Sequence, residues 1–146
     1  MTTDVTIERA TPEDGEAILE LLRASALPDA GLLDHLATTL VARSPDRVVG
    51  IAALEVYDAG ALLRSVAVDT TLRGHGVGRR LVAAALDLAG TLRVPAVYLL
   101  TTTAESYFPR FAFSPVSRGD VPRGLLQSAE FQSACPASAI VMMKAL

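Results

Sequence analysis

Hydrophobic and polar residues alternate in some segments of the chain and recur at helical spacing in others. Alternation near the start predicts a strand over Val5–Arg9. Thr11 and Pro12 are typical of a helix start, and the apolar spacing that follows predicts a helix ending at Leu27. A second helix is expected from four leucines at helical spacing, Leu32, Leu33, Leu36 and Leu40.

The middle and end of the chain add strands that are joined by a hairpin and by helices. Two runs typical of strands, Val48–Tyr57 and Leu62–Asp69, meet at Asp58–Gly60, which predicts a hairpin. Further expected elements are a helix from Val77, a strand over Ala96–Thr101, a short helix around Ala104–Arg110, a helix opened by Asp120 and Pro122, and a closing strand over Ala139–Lys144. Hairpins combined with a strand–helix–strand crossover predict an α+β fold, with a mixed sheet covered by helices.

Length, charge and cysteine content narrow the class of protein. A chain of 146 residues suits a single domain over residues 1–146. Its net charge of −3 gives no positive field to hold a nucleic-acid backbone, and no apolar run approaches the ~20 residues of a membrane span. One cysteine and two histidines exclude an internal disulfide and a cysteine-rich zinc site. Since its start lacks an apolar leader, the chain is expected to be cytoplasmic.

A glycine-rich loop carries the first chemical signal. Arg73–Gly78 reads RGHGVG and lies between a predicted strand and a predicted helix. Amides at a helix N-terminus lack partners, and glycines let them surround an anion such as a diphosphate. The loop lacks the Lys-Ser/Thr ending of a nucleoside-triphosphate loop, and Arg79 occupies the third glycine position of a dinucleotide fingerprint. The alternative is a loop that merely turns the chain in a small interaction domain.

Two motifs together resemble the GNAT superfamily of N-acetyltransferases. The pattern Arg-x-x-Gly-x-Gly, after the apolar strand Leu63–Val68, resembles the superfamily's coenzyme A diphosphate loop. Phe108–Phe113 is similar to its aromatic-x-x-x-Gly-Phe pattern, with Ala112 in place of the glycine. The resemblance implies a mostly antiparallel mixed sheet with helices on both faces. It also implies acetyl-CoA as co-substrate, no metal, and transfer of an acetyl group to a small amine.

Further segments resemble the small N-acetyltransferases encoded beside arsenic-resistance genes, which are similar to the acetyltransferase domain of N-acetylglutamate synthase. These segments are Leu62–Val68, Leu100–Ala104, Asp120–Pro122 and Cys135–Ala139. The resemblance implies an amino acid or an amino-acid analogue as acceptor, including arsenic- or phosphorus-containing analogues. Dimers are common among such proteins, so a homodimer is one assembly open to the chain.

The superfamily resemblance also implies which residues contact acetyl-CoA. The backbone of the fourth strand holds the pantetheine arm and donates an N–H to the thioester carbonyl, while the loop amides hold the diphosphate. The residues expected to bind the cofactor are Val66, Ala67, Val68, Arg73, Gly74, His75, Gly76, Val77, Gly78, Arg79 and Phe108.

The sequence indicates the catalytic acid and base less clearly than the residues that bind acetyl-CoA. Phe108 stands where the superfamily has a tyrosine that protonates the thiolate, so Tyr107 is the substitute candidate, with water or the ammonium group as the alternative. Glu55 is the candidate base or amine-binding residue, because burial in an apolar strand would raise its pKa. The alternatives are exposure at the mouth of the hairpin or an ion pair with Arg64, since a two-residue turn at Ala59–Gly60 would place the two side chains opposite each other.

Other side chains keep more than one interpretation. His35 is either a substrate contact or a partly exposed helical residue, and Cys135 is expected as a small buried hydrophobe. The candidates for binding a substrate carboxylate are Arg23, Arg64, Arg110 and Arg118. Loss of the customary tyrosine also leaves a catalytically silent acyl-CoA sensor as an alternative function.

Overall fold

A computed structural model describes residues 5–134 and 138–146 of the chain. Its strands are β1 (Thr6–Arg9), β2 (Thr39–Arg43), β3 (Val48–Tyr57), β4 (Gly60–Val68), β5 (Ala96–Thr101), β6 (Ser114–Val116) and β7 (Ile140–Ala145). The α-helices are α1 (Gly15–Ala24), α2 (Val77–Thr91) and α3 (Arg123–Leu126). Tighter 3₁₀ turns cover Pro12–Asp14, Leu32–Thr38, Thr70–Leu72, Phe108–Phe111 and Arg118–Asp120, and a π-helical turn covers Glu130–Ala134.

The strands form one mixed sheet in the order β1-β2-β3-β4-β5-β7-β6. β4 and β5 pair in parallel, and the other neighbouring strands pair antiparallel. The predicted α+β class with a mostly antiparallel sheet is therefore confirmed.

Helices cover both faces of this sheet, because the central strands are apolar on both sides. Leu54 of β3 packs with Leu81 of α2 in one buried cluster. The preceding residue, Ala53, points to the opposite face and packs with Ile18 and Leu22 of α1. Each fully buried leucine or isoleucine contributes about 2 kcal/mol of hydrophobic free energy. No helix in the described ranges is long and apolar enough to cross a membrane.

The predicted second helix is wrong in its second half. The turn over Leu32–Thr38 is followed directly by β2, so Leu40 lies in a strand, paired with Arg9 on one side and Ala52 on the other. β2 is buried on both faces and shows no polar alternation. Leu40 consequently matches the helical spacing of the leucines before it, and only its pairing with β1 and β3 shows that it belongs to a strand.

The hairpin exists, but its turn lies one residue earlier than the register argument assumed. Tyr57 pairs with Gly60, so the two turn residues are Asp58 and Ala59 rather than Ala59 and Gly60. Glu55 consequently lies opposite Leu62 and not opposite Arg64. The expected register is wrong, although the two charged side chains still share one face of the sheet.

The expected short helix around Ala104–Arg110 is reduced to the 3₁₀ turn over Phe108–Phe111. Ala112 ends this turn with a φ of +70°, in the left-handed region that favours glycine. The aromatic motif thus needs a glycine-like backbone at this position, and alanine adopts it at an energetic cost.

We expect Ala112→Gly to raise the free energy of unfolding by about 1 kcal/mol, because it removes the steric penalty of a left-handed alanine. Ala112 is exposed, so no buried contact is lost. Chemical denaturation measures the effect. Ala104→Gly, also outside the helices and strands but without a positive φ, serves as the control and should not stabilise the fold.

Candidate active site

The glycine loop joins β4 to α2 and has an open surface. Gly76 is the N-cap of α2 with a φ of +78°, and Gly74 has a φ of +86°. A Cβ added to either glycine would meet no atom within 4 Å. The first amides of α2 lack intrahelical partners, and no side chain caps them. The loop therefore offers free donors, at the positive end of a 15-residue helix, to a group in open space.

A cavity of about 650 Å³ lies over this loop and along the end of β4. All of the residues expected to bind the cofactor line it except His75. The His75 side chain is exposed, and its backbone N–H is donated to the Leu72 carbonyl oxygen at 3.3 Å. The cavity also includes Ser25 and Leu27, which the sequence did not single out.

A bulge in β4 shapes the other end of this cavity. Arg64 and Ala67 pair with Ala53 and Ile51, so β4 contains one residue more than β3 between these pairs, and Ser65 has a φ of +61°. Ser65 and Val66 consequently have no register partner in β3. Val66, which lines the cavity, thus has no register partner in either neighbouring strand.

A second cavity of about 340 Å³ lies where β4 and β5 separate. The two strands pair only at Ala61–Val97 and Leu62–Tyr98, and beyond Leu62 they diverge. Hydroxyl-bearing residues contribute to its lining, namely Ser65, Thr101, Thr102 and Thr103. The two cavities meet, since four residues line both of them: Leu27, Val66, Ala104 and Phe108.

Glu55 forms a buried ion pair instead of facing a cavity. Its side chain is 1% exposed, and its Oε2 lies 2.9 Å from Nη1 of Arg64. Tyr57 donates its hydroxyl to the other carboxylate oxygen at 2.5 Å, and His35 Nε2 lies 3.8 Å from that oxygen. Glu55 lines neither cavity. The ion-pair alternative is confirmed, across a diagonal of the hairpin.

The partners of Glu55 decide its protonation state. Burial alone would raise its pKa, but hydrogen bonds from Ser128, Tyr57 and Arg64 together outweigh burial and lower the pKa. The expectation of a raised pKa is therefore wrong. Burial, followed by the bond to Glu55, raises the pKa of Tyr57 to about 12, so the phenol keeps its proton at neutral pH.

Residues 6–113, which include the glycine loop and the β4 bulge, match the sequence model of the Acetyltransferase (GNAT) family. The chain belongs to the GNAT acetyltransferase family. Among curated relatives, amino-acid acetyltransferase of Mycobacterium tuberculosis is 40% identical over 81 residues, covering 52% of this chain and 45% of the relative. This chain therefore spans less than half of that relative's length.

Solved structures show the same GNAT fold. Rv2747 of Mycobacterium tuberculosis, in complex with CoA and NLQ, has a TM-score of 0.82 at 27% identity, covering 97% of this chain and 99% of that chain. N-acetylglutamate synthase of Neisseria gonorrhoeae, complexed with coenzyme A and N-acetyl-glutamate, has a TM-score of 0.83 at 19% identity. That alignment covers 100% of this chain and 36% of the synthase, and it shows a shared fold.

In the aromatic segment of this GNAT chain, the rings of Tyr107 and Phe108 lie at different ends of the larger cavity. Phe108 is buried at the junction of the cavities, where it cannot exchange a proton. The Tyr107 ring packs edge-on against Phe108, and its hydroxyl is 3.8 Å from the position of a Cβ added to Gly78. Tyr107 therefore reaches the helix N-terminal end of the larger cavity, beside the glycine loop.

Three of the four candidate arginines lie outside the two cavities. Arg110 stacks over the Tyr107 ring at 4.3 Å, Arg118 donates to the Ala139 carbonyl at 3.3 Å, and Arg23 is exposed. Arg64 lines the smaller of these two cavities. His35, expected on a helix, lies in the 3₁₀ turn, 27% exposed, beside Glu55. Cys135 lies outside the described residues.

Sequence reasoning missed part of the smaller cavity. Thr102 and Thr103 follow directly after β5 and line it, and a polar run at the end of an apolar strand was the available signal. Ser128, which follows α3, hydrogen-bonds Glu55, and no sequence pattern indicates that contact.

Proposed function

We propose that this chain is an acetyl-CoA-dependent N-acetyltransferase that acts on a small amine, either an amino acid or an amino-acid analogue. The observation that carries the proposal is the junction of the two cavities beside Val66, whose backbone has no register partner in β3. GNAT membership supports acetyl-CoA as donor. The mycobacterial amino-acid acetyltransferase supports an amino acid as acceptor.

The residues of the larger cavity suit coenzyme A. The positive helix end and the side-chain-free surface of Gly74 and Gly76 fit a diphosphate. Arg73 and Arg79 line the same cavity, and each adds a positive charge for phosphate groups. Val66, Ala67 and Val68 offer an apolar strand edge for the pantetheine arm. These residues and the loop are proposed to hold the donor.

Acetyl-CoA supplies a thioester carbonyl carbon that an amine nitrogen can attack, with the sulfur as leaving group. In the proposed arrangement the Val66 amide donates to the carbonyl oxygen, because the β4 bulge frees it from pairing with β3. Such a donor is fixed before the reaction, so it stabilises the developing negative charge without reorganisation. The smaller cavity would present the amine from the opposite side of Val66.

The proton balance of this reaction needs no net source. Starting from the neutral amine, the attacking nitrogen loses one proton and the leaving sulfur gains one; an acceptor that arrives as an ammonium ion first releases one further proton to solvent. Tyr107 is the candidate acid, but its hydroxyl lies beside Gly78, which favours a contact to the donor's phosphate end. We therefore propose that the thiolate takes its proton from water or from the ammonium group. Glu55, ionised and paired with Arg64, is proposed as a structural counter-ion.

The finer parts of the proposal rest on resemblance to the arsenic-resistance acetyltransferases. An acceptor that carries arsenic or phosphorus in place of a side-chain carboxylate would fit a cavity lined by hydroxyl groups. We further propose that residues 1–146 act as one cytoplasmic acetyltransferase domain, with a homodimer as the assembly to test.

Release of coenzyme A in the presence of an amino-acid panel, including arsenic- and phosphorus-containing analogues, tests the proposal. We expect at least one acceptor to gain the mass of an acetyl group at a rate well above thioester hydrolysis. Gly76→Leu serves as the inactive control, because it obstructs the loop without touching the smaller cavity. If wild-type protein acetylates no amine of the panel and does not bind acetyl-CoA, the proposal is contradicted.

A catalytically silent acyl-CoA sensor is the second candidate. Phe108 at the cavity junction favours it, because phenylalanine cannot protonate a thiolate. Tight acetyl-CoA binding without turnover on any amine of the panel would support the sensor.

A further inference from the structure

Arg64 makes a network of contacts that the reaction outlined above does not use. Its side chain is fully buried, and its Nε donates to the Ser65 hydroxyl at 3.1 Å. Nη1 donates to the Ala30 carbonyl at 2.6 Å and to Glu55 at 2.9 Å. Nη2 donates to the Pro28 carbonyl at 3.2 Å. Arg64 thus ties the β4 bulge to two backbone carbonyls that precede the 3₁₀ turn over 32–38.

Acidic partners compensate the buried positive charge of this arginine. Glu55 contacts Nη1, and the Glu130 Oε2 lies 3.5 Å from Nη2. Tyr57 holds the far oxygen of Glu55 at 2.5 Å. A buried guanidinium without such partners would be strongly destabilised. By compensating the buried charge, the acidic residues allow the planar guanidinium to donate to both carbonyls in a fixed geometry.

The backbone held by Arg64 is a wall of both cavities. The 25–31 connection runs from the end of α1 to the 3₁₀ turn at Leu32. Its Leu27 lines both cavities, Ser25 lines the larger one, and Ala26 and Pro28 line the smaller one. The N–H groups of Ser25, Ala26 and Leu27 bond back to the last turn of α1, and the Asp29 carbonyl accepts from Leu32, so these backbone bonds are local and none of them reaches β4. Arg64 supplies the polar contacts that hold this connection to β4, beside the apolar packing of Leu27 on the cluster that includes Ala67.

We propose that Arg64 is a positioning residue for the amine acceptor, holding the 25–31 connection against the β4 bulge so that the smaller cavity keeps its shape. The inference rests on the proposed acetyltransferase function and adds to it the residue that sets acceptor fit. Arg64 does so through main-chain carbonyls, so a lysine, with one compact ammonium group, cannot replace it.

Steady-state kinetics on Arg64→Met, Arg64→Lys and the double variant Arg64→Met/Glu55→Gln tests this role. The double variant removes the cation and one counter-ion together, so it keeps the fold testable if Arg64→Met alone does not fold. We expect a melting temperature closer to wild type in the double variant than in Arg64→Met. The KM for the amine should stay at least tenfold raised in all three, with acetyl-CoA affinity within threefold of wild type.

Arg47→Met is the matched control, because Arg47 pairs with Asp69 at the surface and lines neither cavity. It should change neither KM. An amine KM that returns to wild type together with the melting temperature would show that Arg64 is only structural. Equal loss of amine and acetyl-CoA affinity would likewise overturn the proposal.

Hydrogen exchange gives a readout that does not depend on turnover. In ligand-free protein, the hydrogen-bonded amides of Ser25, Ala26 and Leu27 should exchange at least tenfold faster in the double variant than in wild type, and at the wild-type rate in Arg47→Met. Unchanged exchange would overturn the anchoring role even in an active enzyme. Faster exchange in a protein that acetylates no amine would support the anchor while rejecting the proposed function.

Discussion

Gly76→Leu should weaken acetyl-CoA binding at least tenfold in calorimetry. Two effects act together at this residue. A leucine side chain would fill the open space above the loop, where no protein atom lies within 4 Å of the added Cβ. Any side chain would also make the φ of +78° unfavourable by about 1–2 kcal/mol. The backbone would relieve this strain by moving the loop amides away from the positions in which they can donate to one anion. A tenfold loss corresponds to about 1.4 kcal/mol of binding free energy.

The control for this prediction lies in the same helix. Gly90 of α2 has equally open surroundings but no positive φ, and it is remote in sequence from the loop. Gly90→Ala should leave the dissociation constant unchanged and stabilise the fold by up to about 1 kcal/mol. Unaltered acetyl-CoA affinity in a folded Gly76→Leu protein would place the diphosphate elsewhere on the molecule.

Glu55→Gln should lower the free energy of unfolding by about 3 kcal/mol at neutral pH, because it leaves the Arg64 guanidinium buried with less negative charge. The bond from Tyr57 and the one from Ser128 would survive in part, since the glutamine oxygen still accepts. Urea denaturation measures the loss. A general base would instead reveal itself as a fall in kcat with little change in stability.

Glu8→Gln is the matched control for that variant. Glu8 also pairs with an arginine, Arg43, but its side chain is 49% exposed. Solvent screening limits such a pair to less than about 1 kcal/mol. Equal losses in the two variants would contradict the view that burial makes the Glu55 pair important.

The pH dependence of stability follows from the lowered pKa of Glu55. Because its pKa is lower in the folded than in the unfolded chain, its contribution is complete above its ordinary pKa of 4.5 and is lost as the pH falls through the folded value. The difference in unfolding free energy between wild type and Glu55→Gln should therefore be constant above about pH 6 and shrink in acid. A difference that grows in acid would contradict the assigned direction.

Several features of the fold were predictable because they depend on local pattern. The glycine loop, the strand β5 and the helix α2 each have a periodicity or a turn residue that acts over a few neighbours. β2 was not predictable in this way. Its run is buried on both faces, and it becomes a strand only because β1 and β3 lie on either side.

The Glu55–Arg64 pair shows the same division within the site. Two opposite charges in adjacent apolar strands predicted an interaction, and it exists. Its geometry follows from a hairpin turn placed at Asp58 and Ala59, which puts Glu55 opposite Leu62 and so converts a directly opposed pair into a diagonal one. Carbonyls of Pro28 and Ala30 complete the site, and backbone atoms carry no sequence signal.

By itself, the sequence determined the α+β class, the glycine loop at the start of α2 and the family resemblance, because short-range spacing encodes all three. Only the tertiary structure decided that β4 and β5 separate after Leu62, that two cavities meet beside Val66, and that Glu55 forms a buried ion pair with Arg64. These properties depend on strand register and on contacts between residues far apart in the chain. A change of one residue in register moves a side chain to the other face of the sheet, and no local pattern specifies register so closely.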